Sequence, residues 1–89
     1  MERDDVKKQV YTAIVSVKNF EPDKNNESLS LVHDLSFDSI DLVDLLFEVE
    51  KLTGVSITVG DLSSYLKSVP GERIQHITIA HIINYVCEH

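Results

Sequence analysis

Apolar residues recur with a helical period in three stretches of this chain. In the first, over residues 4–20, Val6, Val10, Ile14 and Val17 are spaced by four, four and three, which lines them along one helical face. Asp4 and Asp5 suit the positive N-terminal end of that helix. Glu21-Pro22 predicts its stop, because the residue before proline is pushed out of helical backbone. Residues 23–35 are polar with scattered anchors, Leu29, Leu31, Val32 and Leu35. They read as a long ordered loop whose leucines plug into a core, and loops of this length in compact domains are often functional. A second helix is predicted from about Asp38-Ser39 to Gly54, a residue suited to a left-handed C-terminal cap. Val55 to Val59 alternates as a strand does, but a lone strand has nothing to pair with, so an extended connector is expected. Asp61 is expected to cap a short third helix over residues 62–67, and Pro70-Gly71 marks a turn. A last helix over residues 78–87 turns Ile79, Ile82, Ile83 and Val86 inward.

These elements predict an all-α fold. It is a four-helix bundle of three main helices plus a short third helix, with a long first loop. The expected core holds Val10, Ile14, Leu45, Leu46, Val49, Ile82 and Val86. A chain of 89 residues suffices for one domain, spanning 1–89, and not for two.

The second helix carries more apolar surface than one face can hide. At about 100° per residue, Leu42, Leu45, Leu46, Val49 and Leu52 gather on one side and must face the core. Ile40, Val43 and Phe47 gather nearly opposite, flanked along one edge by Asp41, Asp44 and Glu48. An exposed apolar patch rimmed by charge marks an interaction surface; the acids draw in basic partners and the apolar trio supplies contact energy. The bland alternative is that the first loop folds over this patch and buries it.

Charge narrows the choice of partners. Fifteen acidic residues against eight basic ones give a formal charge of −7, which repels nucleic acid and anionic lipid headgroups. Basic protein surfaces are the expected partners. No apolar window reaches the length of a membrane span, and residues 1–8 carry mixed charges with no apolar run behind them. The single Cys87 excludes an intrachain disulfide. A soluble, cytoplasmic monomer is expected.

Several chemistries are set aside. Asp23, Asn25 and Glu27 begin like a calcium loop that ends at Asp34, but Ser28 stands where that loop needs glycine and Leu31 occupies its ninth position. His33, His76, His81 and His89 lack metal-ligand spacing, so no metal site is expected. Cys87 has no basic neighbour to lower its pKa. No nucleophile elbow or glycine-rich phosphate loop is present, and the chain is read as a non-enzyme without catalytic residues.

Ser39 stands where the second helix begins. On spacing alone it is a helix N-cap, a role serine fills often, although Asp38 fills it equally well and would then leave Ser39 free. Leu35-Ser36-Phe37-Asp38-Ser39-Ile40-Asp41, followed by an apolar and acidic helix ending in Thr53-Gly54-Val55, resembles the acyl carrier protein family. The upstream Asp34-Leu35 pair and the late helix from Thr78-Ile79 to Tyr85-Val86 match as well. In that family an Asp-Ser-Leu motif opens the second helix and its serine is modified. The resemblance implies that a phosphopantetheinyl transferase attaches 4'-phosphopantetheine to Ser39, with Asp38 assisting. The arm would then carry acyl cargo for fatty acid, specialised lipid or polyketide biosynthesis. It also implies that Asp41, Asp44 and Glu48 meet basic surfaces on ketosynthase and acyltransferase-type enzymes, with Ile40 and Phe47 as apolar contacts; Val43 joins this docking set from the apolar patch. A cargo, if sheltered, would enter between the second and third helices.

The chain departs from the family in two places. Ser36 stands where fatty acid carriers usually have glycine, which predicts a different turn. The connection over residues 57–78, with Leu62, Tyr65, Leu66 and Pro70-Gly71, is longer than in carriers of primary fatty acid synthesis; it is either a mark of a specialised carrier or an inert elaboration. Two rival functions stand beside the acyl carrier. One is an aminoacyl or peptidyl carrier. The other is an unmodified helical adaptor that binds a protein through the Ile40-Val43-Phe47 patch.

Overall fold

The computed structural model describes residues 2–67 and 76–89. Among them four helices follow one another, α1 (Arg3–Lys18), α2 (Ser39–Thr53), α3 (Val59–Lys67) and α4 (Ile79–Glu88), with no strand between them. The all-α architecture expected from the apolar spacing is the one observed. The predicted turn at Pro70-Gly71 lies outside the described residues.

Capping sets several of the helix boundaries among the described residues. Asp4 and Asp5 lie in the first turn of α1 and Lys18 in its last, in keeping with the helix dipole. The helix stops two residues before the expected Phe20. Asn19 enters the left-handed region at φ 60° and its N–H donates to the Val15 carbonyl. Asparagine tolerates that conformation, so the chain turns before Pro22 can act. Gly54 does the same for α2 at φ 77°, where lack of a Cβ makes the turn cheap.

The short α3 begins earlier than expected. Thr58, not Asp61, is its cap: the Asp61 N–H donates to Thr58 Oγ1 (3.0 Å), and the Thr58 N–H donates back to Asp61 Oδ2 (3.0 Å). The helix therefore opens at Val59. Thr78 likewise lies just outside α4 as its cap, taking the His81 N–H on Oγ1 (3.2 Å) while its own N–H donates to His81 Nδ1 (3.0 Å).

All seven expected core residues are buried, together with Val6, Leu42, Ile79 and Ile83. Two residues assigned to inward stripes are less enclosed. Val17 is half-buried, and Leu52 is exposed in the last turn of α2. The helix α1 packs most extensively on α2 and next on α4, while α3 leans more lightly on both α2 and α4. Leu62 and Leu66 of α3 are buried, and Tyr65 meets Tyr85 edge-on at 5.5 Å. The described part of the long connection thus contributes Leu62 and Leu66 to the core.

The first loop is ordered by its own backbone bonds and by α4. The Leu31 N–H donates to the Ile77 carbonyl, the Ile79 N–H to Leu29 and the Ala80 N–H to Glu27. These bonds hold Leu31, Leu35 and Phe37 in the core, all at most 5% exposed. Asp23 and Asp34, the ends of the supposed calcium loop, accept the N–H groups of Asn25 and Ser30, and Glu27 pairs with Arg3 and Lys7.

Candidate functional site at the start of the second helix

Asp38 and Asp41 settle which residue caps α2. Asp38 has extended backbone, its Oδ1 accepts the Asp41 N–H at 2.8 Å, and its own N–H donates to Asp41 Oδ2 at 3.3 Å. This reciprocal pair closes the helix end. Ser39 is consequently the first residue inside the helix, exposed to solvent, and its hydroxyl has no hydrogen-bond partner among the described residues. The capping reading of Ser39 is therefore set aside for a physical reason: the neighbouring carboxylate already meets the free amide. A side chain on the first turn of a rigid helix is held in place yet left open for covalent chemistry.

The turn into this site is shaped by Ser36 and Lys18. Ser36 adopts φ 59°, the left-handed conformation that glycine takes freely. Serine here is thus held in a backbone conformation that favours glycine. Lys18, at the end of α1, reaches across with its ammonium. It donates to the Ser36 carbonyl (3.2 Å) and to Asp41 Oδ2 (3.0 Å), and lies 5.3 Å from the centre of the Phe37 ring. The Lys18 hydrogen bond, followed by the Asp38 backbone N–H, holds the Asp41 carboxyl below the usual aspartate range. The sequence reading missed Lys18, since nothing in a last-turn lysine announces a partner 23 residues on.

A phosphodiester on Ser39 would meet mixed electrostatics. The helix N-terminus favours an anion, Asp38 and Asp41 oppose it, and Lys18 offsets one of those two charges. The donor set fits a phosphopantetheine arm, because it supplies one free, exposed hydroxyl and leaves the capping to another residue.

Beyond Ser39 the outer face of α2 is open. Ile40 is 70% exposed, Val43 43% and Phe47 62%. The first loop does not fold over them; it spends its own apolar side chains on the core. Asp44 is exposed and makes no ion pair among the described residues, Glu48 pairs with Lys51 at 3.3 Å, and Asp41 is half-buried against Lys18. The three acids of the rim are thus unequal: Asp41 is engaged within the molecule, and Asp44 is the freest. Alongside the patch, Val43, Leu46 and Phe47 face Ile57 and Val59 across a groove of about 330 Å³. It lies between α2 and the extended connector into α3, close to the expected position between the second and third helices. A larger groove of about 700 Å³ over α1 and the start of the first loop is lined by none of the residues around Ser39.

The remaining candidates lie apart. Among the described residues no group of three histidine, cysteine or acidic side chains is arranged to hold a metal. His81 is used in the α4 cap, and His89 stacks on Tyr85 at 4.1 Å. Cys87 is exposed and unpaired. No helix among the described residues is long and apolar enough to cross a membrane.

Comparison with known proteins agrees with this geometry. Residues 8–86 match the family described as the phosphopantetheine attachment site. The acyl carrier protein of Lactobacillus acidophilus is 41% identical over 64 aligned residues, an alignment that takes in 60% of this chain and 80% of the relative. No solved structure matches the chain. The match runs from the middle of α1 to the end of α4 and so spans the capped helix start, its exposed serine and the bundle that holds them. This chain belongs to the acyl carrier protein family, whose covalent prosthetic group is 4'-phosphopantetheine.

Proposed function

We propose that Ser39 is the attachment point of the prosthetic arm. On this reading residues 1–89 act as one carrier domain that delivers acyl groups between enzymes of fatty acid, specialised lipid or polyketide biosynthesis. The observation that carries the proposal is the solvent-exposed Ser39 hydroxyl, left without a partner because Asp38 caps the helix. The arm, when attached, supplies a terminal thiol that holds acyl groups as thioesters.

The chain's own contribution is positional. In loading, Ser39 Oγ forms a new bond to phosphorus as a phosphoanhydride P–O bond of coenzyme A breaks and 3',5'-ADP leaves. The serine proton passes to a base on the transferase. Among the described residues no histidine is hydrogen-bonded to Ser39, and Lys18 has its ammonium committed to Ser36 and Asp41. Phosphoryl transfer depends mainly on positioning and metal electrostatics, which a transferase can supply; Asp38 has one carboxylate oxygen outside the cap to assist it. On this reading the chain carries cargo and leaves the catalysis to its partners.

Docking rests on the open face of α2. Ile40, Val43 and Phe47 supply apolar contact, while Asp44 and Glu48 attract basic surfaces on transferase, ketosynthase and acyltransferase-type partners. Asp41 contributes to docking only so far as a partner competes with Lys18 for it. The groove beside Phe47 offers a cargo shelter. The proposed carrier works as a cytoplasmic monomer.

Intact mass after incubation with coenzyme A, magnesium and a broad-specificity transferase tests the assignment. The expected result is a gain of one phosphopantetheine, abolished in Ser39→Ala. A folded sample that gains nothing supports the unmodified adaptor instead. Loading followed by preferential aminoacylation would favour the aminoacyl or peptidyl carrier.

A further inference from the structure

We infer that Lys18 is a positioning residue for the modification of Ser39, holding the turn and the cap that present the serine to its transferase. This inference rests on the assignment of Ser39 proposed above.

Three contacts converge on one ammonium. Its bond to the Ser36 carbonyl fixes the left-handed residue three before Ser39, its bond to Asp41 Oδ2 fixes the residue two after, and its position near the Phe37 ring steadies the segment between. The cap depends on the same carboxylate, since Asp41 Oδ2 also accepts the Asp38 N–H. Two carboxylates thus face each other around a helix start that must also accept a phosphodiester. Without a cation at Asp41, their mutual repulsion and that of the incoming phosphate act on the cap together. Lys18 comes from α1, so it ties the modification site to the body of the bundle and not merely to its own helix. The side chain is 22% exposed and occupied by internal partners, which suits a supporting role better than direct contact with another protein.

A positioning role and a docking role separate kinetically. Docking through Ile40, Val43 and Phe47 does not require an intact cap, whereas attack by Ser39 does. Loss of Lys18 is expected to lower the turnover of loading and to spare KM, because small misplacement of a reacting atom weakens attack far more than binding.

The test measures transferase kinetics on the full chain with Lys18→Met, Lys18→Arg, Asp41→Asn and the Lys18→Met, Asp41→Asn pair, all well below their melting temperatures. The expected result is a fall in kcat of roughly tenfold for Lys18→Met with KM changed less than about twofold. Lys18→Arg is expected to recover most of the loss, and the pair to be no worse than Lys18→Met alone. Amide hydrogen exchange at Asp41 should quicken in Lys18→Met as the cap loosens. Wild-type kcat in Lys18→Met, or a loss confined to KM, overturns the inference while leaving Ser39 loading intact. Should Lys18→Met not fold, Lys18→Ser carries the test, since it withdraws the ammonium without placing an apolar end beside Asp41, and wild-type kcat there overturns the inference equally. Failure of the unmutated chain to load refutes the Ser39 assignment itself.

Discussion

Ser36 shows how a single backbone angle shapes the approach to Ser39. At φ 59° its Cβ crowds the backbone, a conformation that costs an L-residue roughly 1–2 kcal/mol. Lys18 bonded to the Ser36 carbonyl helps hold it there. Ser36→Gly removes the steric cost but adds freedom to the unfolded chain, so a net gain of about 0.5–1 kcal/mol is expected. Thermal denaturation should show Tm rising by a few degrees, and Ser36→Val should lower it. An unchanged or lower Tm for the glycine variant would show that the angle is not strained. Asn19 makes the same excursion at the end of α1 with a side chain that accepts it more readily.

At the scale of the element, α2 is a helix asked to do two jobs with adjacent residues. Leu46 is 3% exposed and Phe47 62%, although they are neighbours only about 100° apart around the helix. Replacing each by serine should give opposite phenotypes. Leu46→Ser is expected to destabilise by about 3 kcal/mol or more, through a cavity and a buried hydroxyl. Phe47→Ser is expected to shift stability by no more than about 0.5 kcal/mol while raising the transferase KM severalfold. Urea denaturation and loading kinetics measure the two effects separately. A large stability loss for Phe47→Ser would mean that this face is covered after all. The cap logic repeats along the chain, with Asp38 and Asp41, Thr58 and Asp61, and Thr78 and His81 each closing a helix start reciprocally.

Across the whole molecule, ion pairs join parts that the apolar core alone would leave less firmly registered. Arg3 and Lys7 hold Glu27, tying α1 to the first loop, and Lys18 holds Asp41, tying α1 to α2. Glu27 is kept below the usual glutamate range first by the Arg3 hydrogen bond, and Asp41 below the usual aspartate range first by Lys18. For a carboxylate whose pKa is lowered by folding, the stabilisation is present above its unfolded value and disappears as pH falls through its folded one. Stability should therefore decline below about pH 4. The doubly substituted Glu27→Gln, Asp41→Asn protein should lose less over that window, as chemical denaturation at stepped pH would reveal. Equal acid sensitivity in both proteins would assign the decline to other carboxylates.

Most of the bundle was legible from local pattern. Val6, Val10 and Ile14 in α1, Leu45, Leu46 and Val49 in α2, and Ile82 and Val86 in α4 repeat at helical spacing, and burial followed that spacing because a helix face is set by residues three and four apart. The Asp-Ser-Ile motif marked the candidate site by the same local logic, yet it left two residues able to cap and one apolar face with two possible fates. Tertiary structure decided both. Asp38 took the cap in reciprocity with Asp41, itself anchored by Lys18 from another helix, and the first loop sent Leu31, Leu35 and Phe37 into the core in place of covering Ile40, Val43 and Phe47. Periodicity records which residues share a face, whereas the partner that meets a face or a charge is chosen by segments distant in the chain.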